Sequence, residues 1–187
     1  IGYVFQSPSQ MLFAPTVAEE LSFGPRNLHH DSATIEQNVA WALNVVNMAE
    51  YQDSPPLALS FGQQKRISIA AVLAMRSRIL MMDEPTAGQD YWNYMTFMDA
   101  ILQMPGFDAV IFITHDLDLA VTYANRVVLV HEGRIAEAGA PERVLRDFDL
   151  LRHCRIVPTS LLALNLELLP QTGRFMRAEM LAHALPR

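Results

Sequence analysis

The sequence has 187 residues, of which 51% are hydrophobic and 18% are charged, a composition typical of a globular protein with a proper core. Its formal net charge of -6 argues against a general nucleic-acid-binding protein, whose surface would be basic. The single cysteine, Cys154, excludes an internal disulfide and a cysteine-based zinc site, and no apolar run approaches the roughly 18 residues of a membrane-spanning helix.

The chain begins with a predicted strand over residues 1–5, which alternate and are rich in aromatic side chains. A loop with prolines follows Gln6. The next element is a predicted helix from Thr16 to Phe23, with Thr16 as its N-cap and Gly24-Pro25 as its stop signal. Because the chain starts at Ile1, inside a predicted strand and without a methionine, we expect it to be a fragment.

Two further helices are predicted before the chain returns to the sheet. Apolar residues at helical spacing predict one over 35–48, and Ser60 opens another that ends near Arg76. Residues 16–76 therefore form a predicted helical insertion between two strands.

The rest of the chain alternates strands and helices. The predicted order is strand 78–83, helix 90–104, strand 109–114, helix 117–123, strand 126–131, strand 134–138 and helix 141–146. This alternation predicts an α/β fold with a mainly parallel sheet that ends in an antiparallel hairpin. Residues 149–187 form separated apolar clusters and are predicted to be a small helical extension.

Two adjacent carboxylates, Asp83 and Glu84, end an apolar strand whose pattern predicts burial on both faces of the sheet. Ligands of parallel sheets bind at the carboxyl ends of the strands. A pair of carboxylates there indicates one group for a divalent metal and one for a water molecule, as nucleotide hydrolysis needs. The alternative is a solvated strand end with a helix cap.

Polar residues occupy three more loop ends of the predicted sheet: Gln6, the turn Ser60-Phe61-Gly62-Gln63, and His115. Each also has a structural interpretation when it is taken alone. Gln6 could be a surface residue, Ser60 and Gly62 a cap and a flexible turn, and His115 a helix cap.

In chain order these sites resemble the motifs of the ATPase subunits of ABC transporters. Gln6 matches the glutamine of the Q-loop, and LSFGQQKR is similar to the signature, LSGGQ followed by a basic residue. ILMMDEPTAGQD resembles the Walker B strand, its glutamate and the D-loop that ends at Asp90, and ITHD places His115 as the switch histidine. The resemblance covers residues 1–148, which we expect to form a P-loop NTPase-like domain, with 149–187 as its extension.

The resemblance implies a role for each group near the bound nucleotide. Asp83 would bind Mg²⁺ mainly through water, Glu84 would polarise the attacking water, and His115 would contact the γ-phosphate of ATP. Gln6 would contact the metal and the water and report their state to a transmembrane partner.

The signature implies a second ATP site. Ser60, Gly62 and Gln63 would offer a hydroxyl, backbone N–H groups and an amide to ATP held by an opposite subunit. The catalytic unit would then be a dimer of ABC ATPase domains, whether homodimer, heterodimer or fused tandem.

Three features depart from the family pattern. The chain has no G-x-x-x-x-G-K-[ST] motif, and its one lysine, Lys65, lies inside the signature. The Walker A phosphate loop would lie upstream of Ile1, so this chain alone should be inactive. Phe61 replaces the first signature glycine, and Gln89 is unusual in the D-loop.

The segment from Phe5 to Asn27, FQSPSQMLFAPTVAEELSFGPRN, is similar to that of energy-coupling factor (ECF) ATPases, although Ser7 replaces their asparagine. This implies importers of a vitamin, a vitamin precursor or a metal ion. The partners would be a transmembrane coupling protein and a substrate-binding membrane protein, with no nucleic acid. The protein would lie peripherally on the cytoplasmic face of the membrane.

An apolar stretch in this segment, Met11-Leu12-Phe13, is a candidate groove for a helix of the membrane partner, or else part of the core. Two other functions remain open. One is an ABC ATPase without a transport role, and the other is a non-catalytic protein that donates only its signature to a partner ATPase.

Overall fold

Three predicted strands form one parallel sheet in the computed structural model, which describes residues 1–87 and 91–184. They lie in the order β1 (Gly2–Val4), β2 (Ile79–Asp83) and β3 (Ala109–Ile113). Leu80 pairs with Gly2 on one side and with Val110 on the other. Because the strands run in one direction, their carboxyl ends meet at the same edge of the sheet.

The predicted helical insertion lies between β1 and β2 along the chain. Its α-helices are α1 (Val17–Asn27), α2 (Ser32–Val45) and α3 (Phe61–Ala74), and its 3₁₀ segments are Pro8–Gln10, Ala49–Tyr51 and Pro56–Ala58. α1 and α2 pack against α3, and α3 also packs against β1. The α/β fold with a parallel sheet and a helical insertion is thus confirmed.

Most side chains of α3 are buried, as expected of a helix that other elements cover on several sides. Ile67, Ile69 and Leu73 are almost completely buried, and each such side chain contributes about 1.5–3 kcal/mol to folding. The helix approaches β1 closely, since a Cβ added at Gly2 would lie 1.9 Å from Val72 Cγ1. Glycine at position 2 is what permits this contact.

The predicted stop of α1 at Gly24-Pro25 is wrong, because the helix continues through both residues to Asn27. Pro25 is buried inside the helix, and Gly24 lies so close to α3 that an added Cβ would be 2.4 Å from Met75 Sδ. Packing against α3 therefore outweighs the local penalty of proline in a helix, about 3 kcal/mol. The N-cap is as predicted, with Thr16 Oγ1 accepting from Glu19 N–H at 3.2 Å.

The predicted burial of β2 on both faces is also wrong. Leu80 and Met82 are fully buried on one face of the strand, whereas Met81 on the opposite face is only partly buried. On that second face β3 exposes Ile111 by 44% and Ile113 by 51%. An apolar run indicates that a strand can be buried on both faces. Which faces are in fact buried depends on the elements that pack against them.

The chain forms two compact units, residues 1–113 and the part from Thr114 onward. The first also contains α4 (Tyr91–Gln103), which buries Met95, Met98 and Ile101. The predicted domain limits of 1–148 and 149–187 divide the chain differently and stay a prediction.

The second unit contains the predicted hairpin and the helical extension. Its elements are α5 (Leu117–Tyr123), β4 (Val127–His131), β5 (Arg134–Gly139), α6 (Pro141–Val144), α7 (Phe148–His153), α8 (Ser160–Thr172) and α9 (Ala178–Ala184). β4 and β5 are antiparallel, as predicted, and Leu129, Leu151 and Leu162 lie in one core with the Cys154 thiol. Within the described residues, no helix has the length and apolarity to span a bilayer.

Candidate functional site

The sheet edge formed by the strand ends brings together three of the predicted residues. Gln6 follows β1 by two positions, Asp83 is the last residue of β2, and Glu84 follows it. They lie at one edge because the strands are parallel, and Asp83 pairs with Ile113 at the end of β3. His115 comes two residues after β3, where it begins the second unit and is exposed to solvent.

Asp83 is a half-buried carboxylate at this edge. Its Oδ2 accepts a hydrogen bond from the Tyr3 hydroxyl at 3.3 Å. Burial of the Tyr3 ring, and then the charge and hydrogen bond of Asp83, raise the pKa of Tyr3 above its ordinary 10.0. Tyr3 therefore stays a neutral donor that holds one carboxylate oxygen of Asp83.

Glu84 adopts a left-handed backbone conformation, with φ of 42°, which is rare for residues other than glycine. Its N–H donates to the carbonyl of Ile113 at 2.9 Å, which fixes it to the end of β3. Strain of this kind costs on the order of 1–3 kcal/mol and is concentrated at functional sites. The fold thus holds the Glu84 backbone at the sheet edge against a local preference.

Lys65 also reaches this sheet edge, although its position in the sequence indicates only a residue of the signature. It lies in α3 with 1% of its surface exposed, and its Nζ donates to the carbonyls of Gln6 at 3.1 Å and Phe5 at 3.5 Å. Burial lowers the pKa of Lys65 from 10.5 to about 8, and the nearby carboxylate of Asp83 opposes this shift. The sequence feature that could have indicated a buried lysine is that the chain's one lysine precedes the apolar residues of a predicted helix.

The predicted signature forms the N-terminus of α3. Ser60 is the N-cap, and the two reciprocal hydrogen bonds of a capping box join it to Gln63. Ser60 N–H donates to Gln63 Oε1 at 2.9 Å, and Gln63 N–H donates to Ser60 Oγ at 3.4 Å. The helix start at the signature is therefore confirmed, and both polar side chains have a structural role in it.

Gly62 and Phe61 face open space at this helix end. A Cβ added at Gly62 would meet no atom within 4 Å, so packing within the chain does not require glycine there. Phe61, which replaces a glycine of the family pattern, is the first residue of α3 and is 45% exposed. Both positions are available to a partner molecule.

The donor set at the sheet edge suits magnesium better than zinc. Within residues 1–87 and 91–184 no cluster of three histidine, cysteine or acidic side chains is placed to hold a metal. Mg²⁺ is usually held by one or two carboxylates together with waters and phosphate oxygens, so a single carboxylate such as Asp83 is the kind of ligand that it uses. The predicted D-loop residues Gln89 and Asp90 lie outside the described residues.

Comparisons with known proteins agree with this geometry. Residues 1–87 match the model of the ABC transporter family. The chain is 40% identical over 157 residues to an energy-coupling factor transporter ATP-binding protein, EcfA, of Methanococcus maripaludis, covering 83% of this chain and 56% of that protein. It is 38% identical over 169 residues to EcfA2 of Methanospirillum hungatei, covering 90% of this chain and 42% of that protein.

A solved structure shows the same fold. CbiO1 of Clostridium perfringens, described as part of the ABC transporter complex CbiONQ, superposes with a TM-score of 0.70 at 35% identity, covering 81% of this chain and 61% of CbiO1. The chain spans about half the length of the curated relatives it matches. Because the motifs, the fold and these relatives agree, the chain carries an ABC transporter ATP-binding domain.

Proposed function

We propose that the chain is an ATP-hydrolysing subunit of an energy-coupling-factor-type ABC importer. The observation that carries the proposal is the sheet edge at which Gln6, Asp83 and Glu84 meet, with a capped signature helix held against it by Lys65. The similarity to EcfA proteins supports the transporter type. The test is whether Glu84→Gln stops phosphate release from ATP by the assembled complex that contains this chain.

The residues at the sheet edge would serve ATP bound to this subunit. Asp83 would hold Mg²⁺ mainly through water, and that ion would neutralise phosphate charge when it is bound. Glu84 would orient and polarise the attacking water, while Gln6 would contact the water and the metal. His115 would donate a ring N–H to an oxygen of the γ-phosphate, which a histidine can do in either protonation state.

The signature would serve ATP held by a second ABC ATPase domain. The N-terminus of α3 presents backbone N–H groups, and the open space around Gly62 allows a phosphate to approach the backbone. Gln63 uses its Oε1 in the capping box, which leaves Nε2 as the amide atom that would donate to this ATP. Asp90 is the D-loop residue that we expect near the same interface.

The 187 residues contain no phosphate-binding loop of the G-x-x-x-x-G-K-[ST] type. Phosphoryl transfer depends on positioning and on charge neutralisation, and the lysine of that loop supplies both. We therefore expect a polypeptide of these residues alone not to hydrolyse ATP. A second candidate function is that the chain donates its signature to the ATP of a competent partner, for which the exposed N-terminus of α3 is suited.

The importer would contain a transmembrane coupling protein and a substrate-binding membrane protein. Its substrate would be a vitamin, a vitamin precursor or a metal ion, and this subunit would lie on the cytoplasmic face of the membrane. The candidate contact is the loop at Met11-Leu12-Phe13, where the structure separates the three side chains. Leu12 is 4% exposed and belongs to the core, Met11 is half-buried, and Phe13 is 60% exposed.

The fold presents Phe13 in a fixed position. The buried carboxylate of Glu20 accepts from the N–H groups of Phe13 and Ala14, both at 2.8 Å. The Phe13 ring lies edge-on against the exposed ring of Phe23, with 4.8 Å between the centroids. A packed pair of exposed aromatic rings suits an apolar helix of a partner.

Phe13→Asp should release the membrane partner without unfolding the chain. The exposed position tolerates the charge, whereas an apolar partner surface does not. Co-purification of the membrane proteins and the thermal midpoint of the subunit would be measured together. Leu28→Asp, at another exposed apolar residue, is the matched control that should keep the partner. Undiminished co-purification with Phe13→Asp would contradict the docking role. Leu12→Asp is unsuitable, because it would place a charge in the core.

A further inference from the structure

Lys65 lies where the backbone after β1, the signature helix and the end of β2 meet. Its ammonium donates to the carbonyls of both Phe5 and Gln6, and the charge of Asp83 acts on it from β2. The side chain is 1% exposed, so water does not replace these contacts. One cation therefore joins three segments that are far apart in the sequence.

Packing alone does not explain a lysine at this position. Burial of a charge is costly, and an apolar side chain of similar length would fill the space without that cost. The lysine adds direction, because its N–H groups fix where the two carbonyls lie. The backbone N–H of Phe5 donates to Met11 Sδ, a weak acceptor, at 3.3 Å. The two Lys65 bonds, which come from a charged donor, therefore restrain the backbone at Gln6.

We propose that Lys65 is a positioning residue that ties the Q-loop backbone at Phe5–Gln6 to the signature helix, so that the chain's contacts to its own ATP and to the partner's ATP move together. The inference rests on the proposed function for its two ATP sites. The link itself is a property of this chain's fold, because the bonds from α3 reach the segment that carries Gln6.

Lys65→Met tests the link, since it keeps the length and apolar stem and removes the donors. Hydrogen–deuterium exchange of the peptide that spans residues 2–12 would be followed in the assembled complex. Exchange near Gln6 should become about tenfold faster or more, as expected for loss of a hydrogen bond to a charged group. Exchange in α3 and β2 should stay as in the wild type. Unchanged exchange near Gln6 would overturn the proposal, whatever the activity.

Steady-state ATP hydrolysis gives the second readout. In Lys65→Met the kcat should fall about tenfold, while the KM for ATP changes less than about twofold, because the displaced group acts on the reaction more than on nucleotide binding. Faster loop exchange with a normal kcat would also overturn the coupling. If Glu84→Gln removes turnover while Lys65→Met changes neither readout, the proposed function stands and this inference fails.

Ser68→Ala is the matched control. Ser68 is a fully buried polar residue of the same helix, and its Oγ donates to the Gln64 carbonyl at 3.0 Å, within α3. Ser68→Ala should leave both the exchange near Gln6 and the kcat at wild-type values. An effect of Ser68→Ala equal to that of Lys65→Met would overturn the specific role of Lys65. If Lys65→Met does not fold, Lys65→Gln replaces it: its neutral amide is one atom shorter than the ammonium, so both effects should have the same direction but be smaller, and wild-type values of both would overturn the proposal.

Discussion

Glu84→Gln should reduce ATP turnover by the assembled complex about 100- to 10 000-fold, the usual contribution of a general base. The amide keeps the shape of the side chain but cannot accept the proton of the attacking water. The left-handed backbone at position 84 and the bond from its N–H to Ile113 O do not depend on the carboxylate. ATP binding and the thermal midpoint should therefore stay unchanged, as measured by nucleotide titration and by thermal unfolding.

The chain provides a close control for this experiment. Glu132 is also a glutamate in the left-handed region, with φ of 47°, and it also directly follows a strand, β4. It lies outside the proposed site, so Glu132→Gln should keep full turnover. Near wild-type turnover in Glu84→Gln would remove Glu84 from its proposed role.

Gly62→Ala should reduce turnover about 100-fold or more, the order of magnitude for loss of one donor to the reacting group. The added methyl group would stand between the helix N-terminus and the partner's phosphate. Within the chain it meets no atom within 4 Å, so the fold should keep its stability or gain up to about 1 kcal/mol. Turnover and urea unfolding would be measured on the same variant.

Gly2→Ala shows what the same change does where the fold itself needs glycine. Its Cβ would lie 1.9 Å from Val72 Cγ1, and overpacking of this kind typically costs about 1–3 kcal/mol. A lower unfolding midpoint for Gly2→Ala, together with an unchanged or higher midpoint for Gly62→Ala, would distinguish a glycine that the fold needs from one that the function needs. Full turnover with Gly62→Ala would contradict a phosphate contact at the signature.

Local patterns in the sequence predicted the elements well where neighbouring residues decide the structure. The caps at Thr16 and Ser60 formed, because each side chain reaches a backbone N–H three residues away. The hairpin of β4 and β5 formed around Glu132-Gly133, whose left-handed conformations suit a tight turn.

The incorrect predictions concern features that depend on contacts between distant segments. Pro25 stayed inside α1 because α1 packs against α3. In β2, Leu80 is fully buried but Met81 on the opposite face is not, and an apolar run alone does not distinguish the two faces. Leu12 and Phe13 are adjacent and similar in polarity, yet one is buried and the other exposed. Their different environments depend on the loop conformation that Glu20 holds, which no periodic pattern contains.

The candidate site was likewise predictable from local sequence only in part. Motif order indicated Gln6, Asp83 and Glu84, and the parallel sheet explains why they meet at one edge. The role of Lys65 was not visible, because its two carbonyl partners are about sixty positions away in the chain. The residues that we propose to react can be recognised from local sequence, whereas the residue that we propose to position them is recognised only from the fold.

The most direct test of the two-site account is photolabelling with an ATP analogue that carries a reactive group on its γ-phosphate. The assembled complex with Glu84→Gln would be used, because slow turnover keeps the nucleotide bound. Mass spectrometry should find the label on this chain at residues 60–63, in competition with ATP. Labelling that spares residues 60–63 while the complex holds the analogue would contradict the claim that this signature contacts the ATP of a partner subunit.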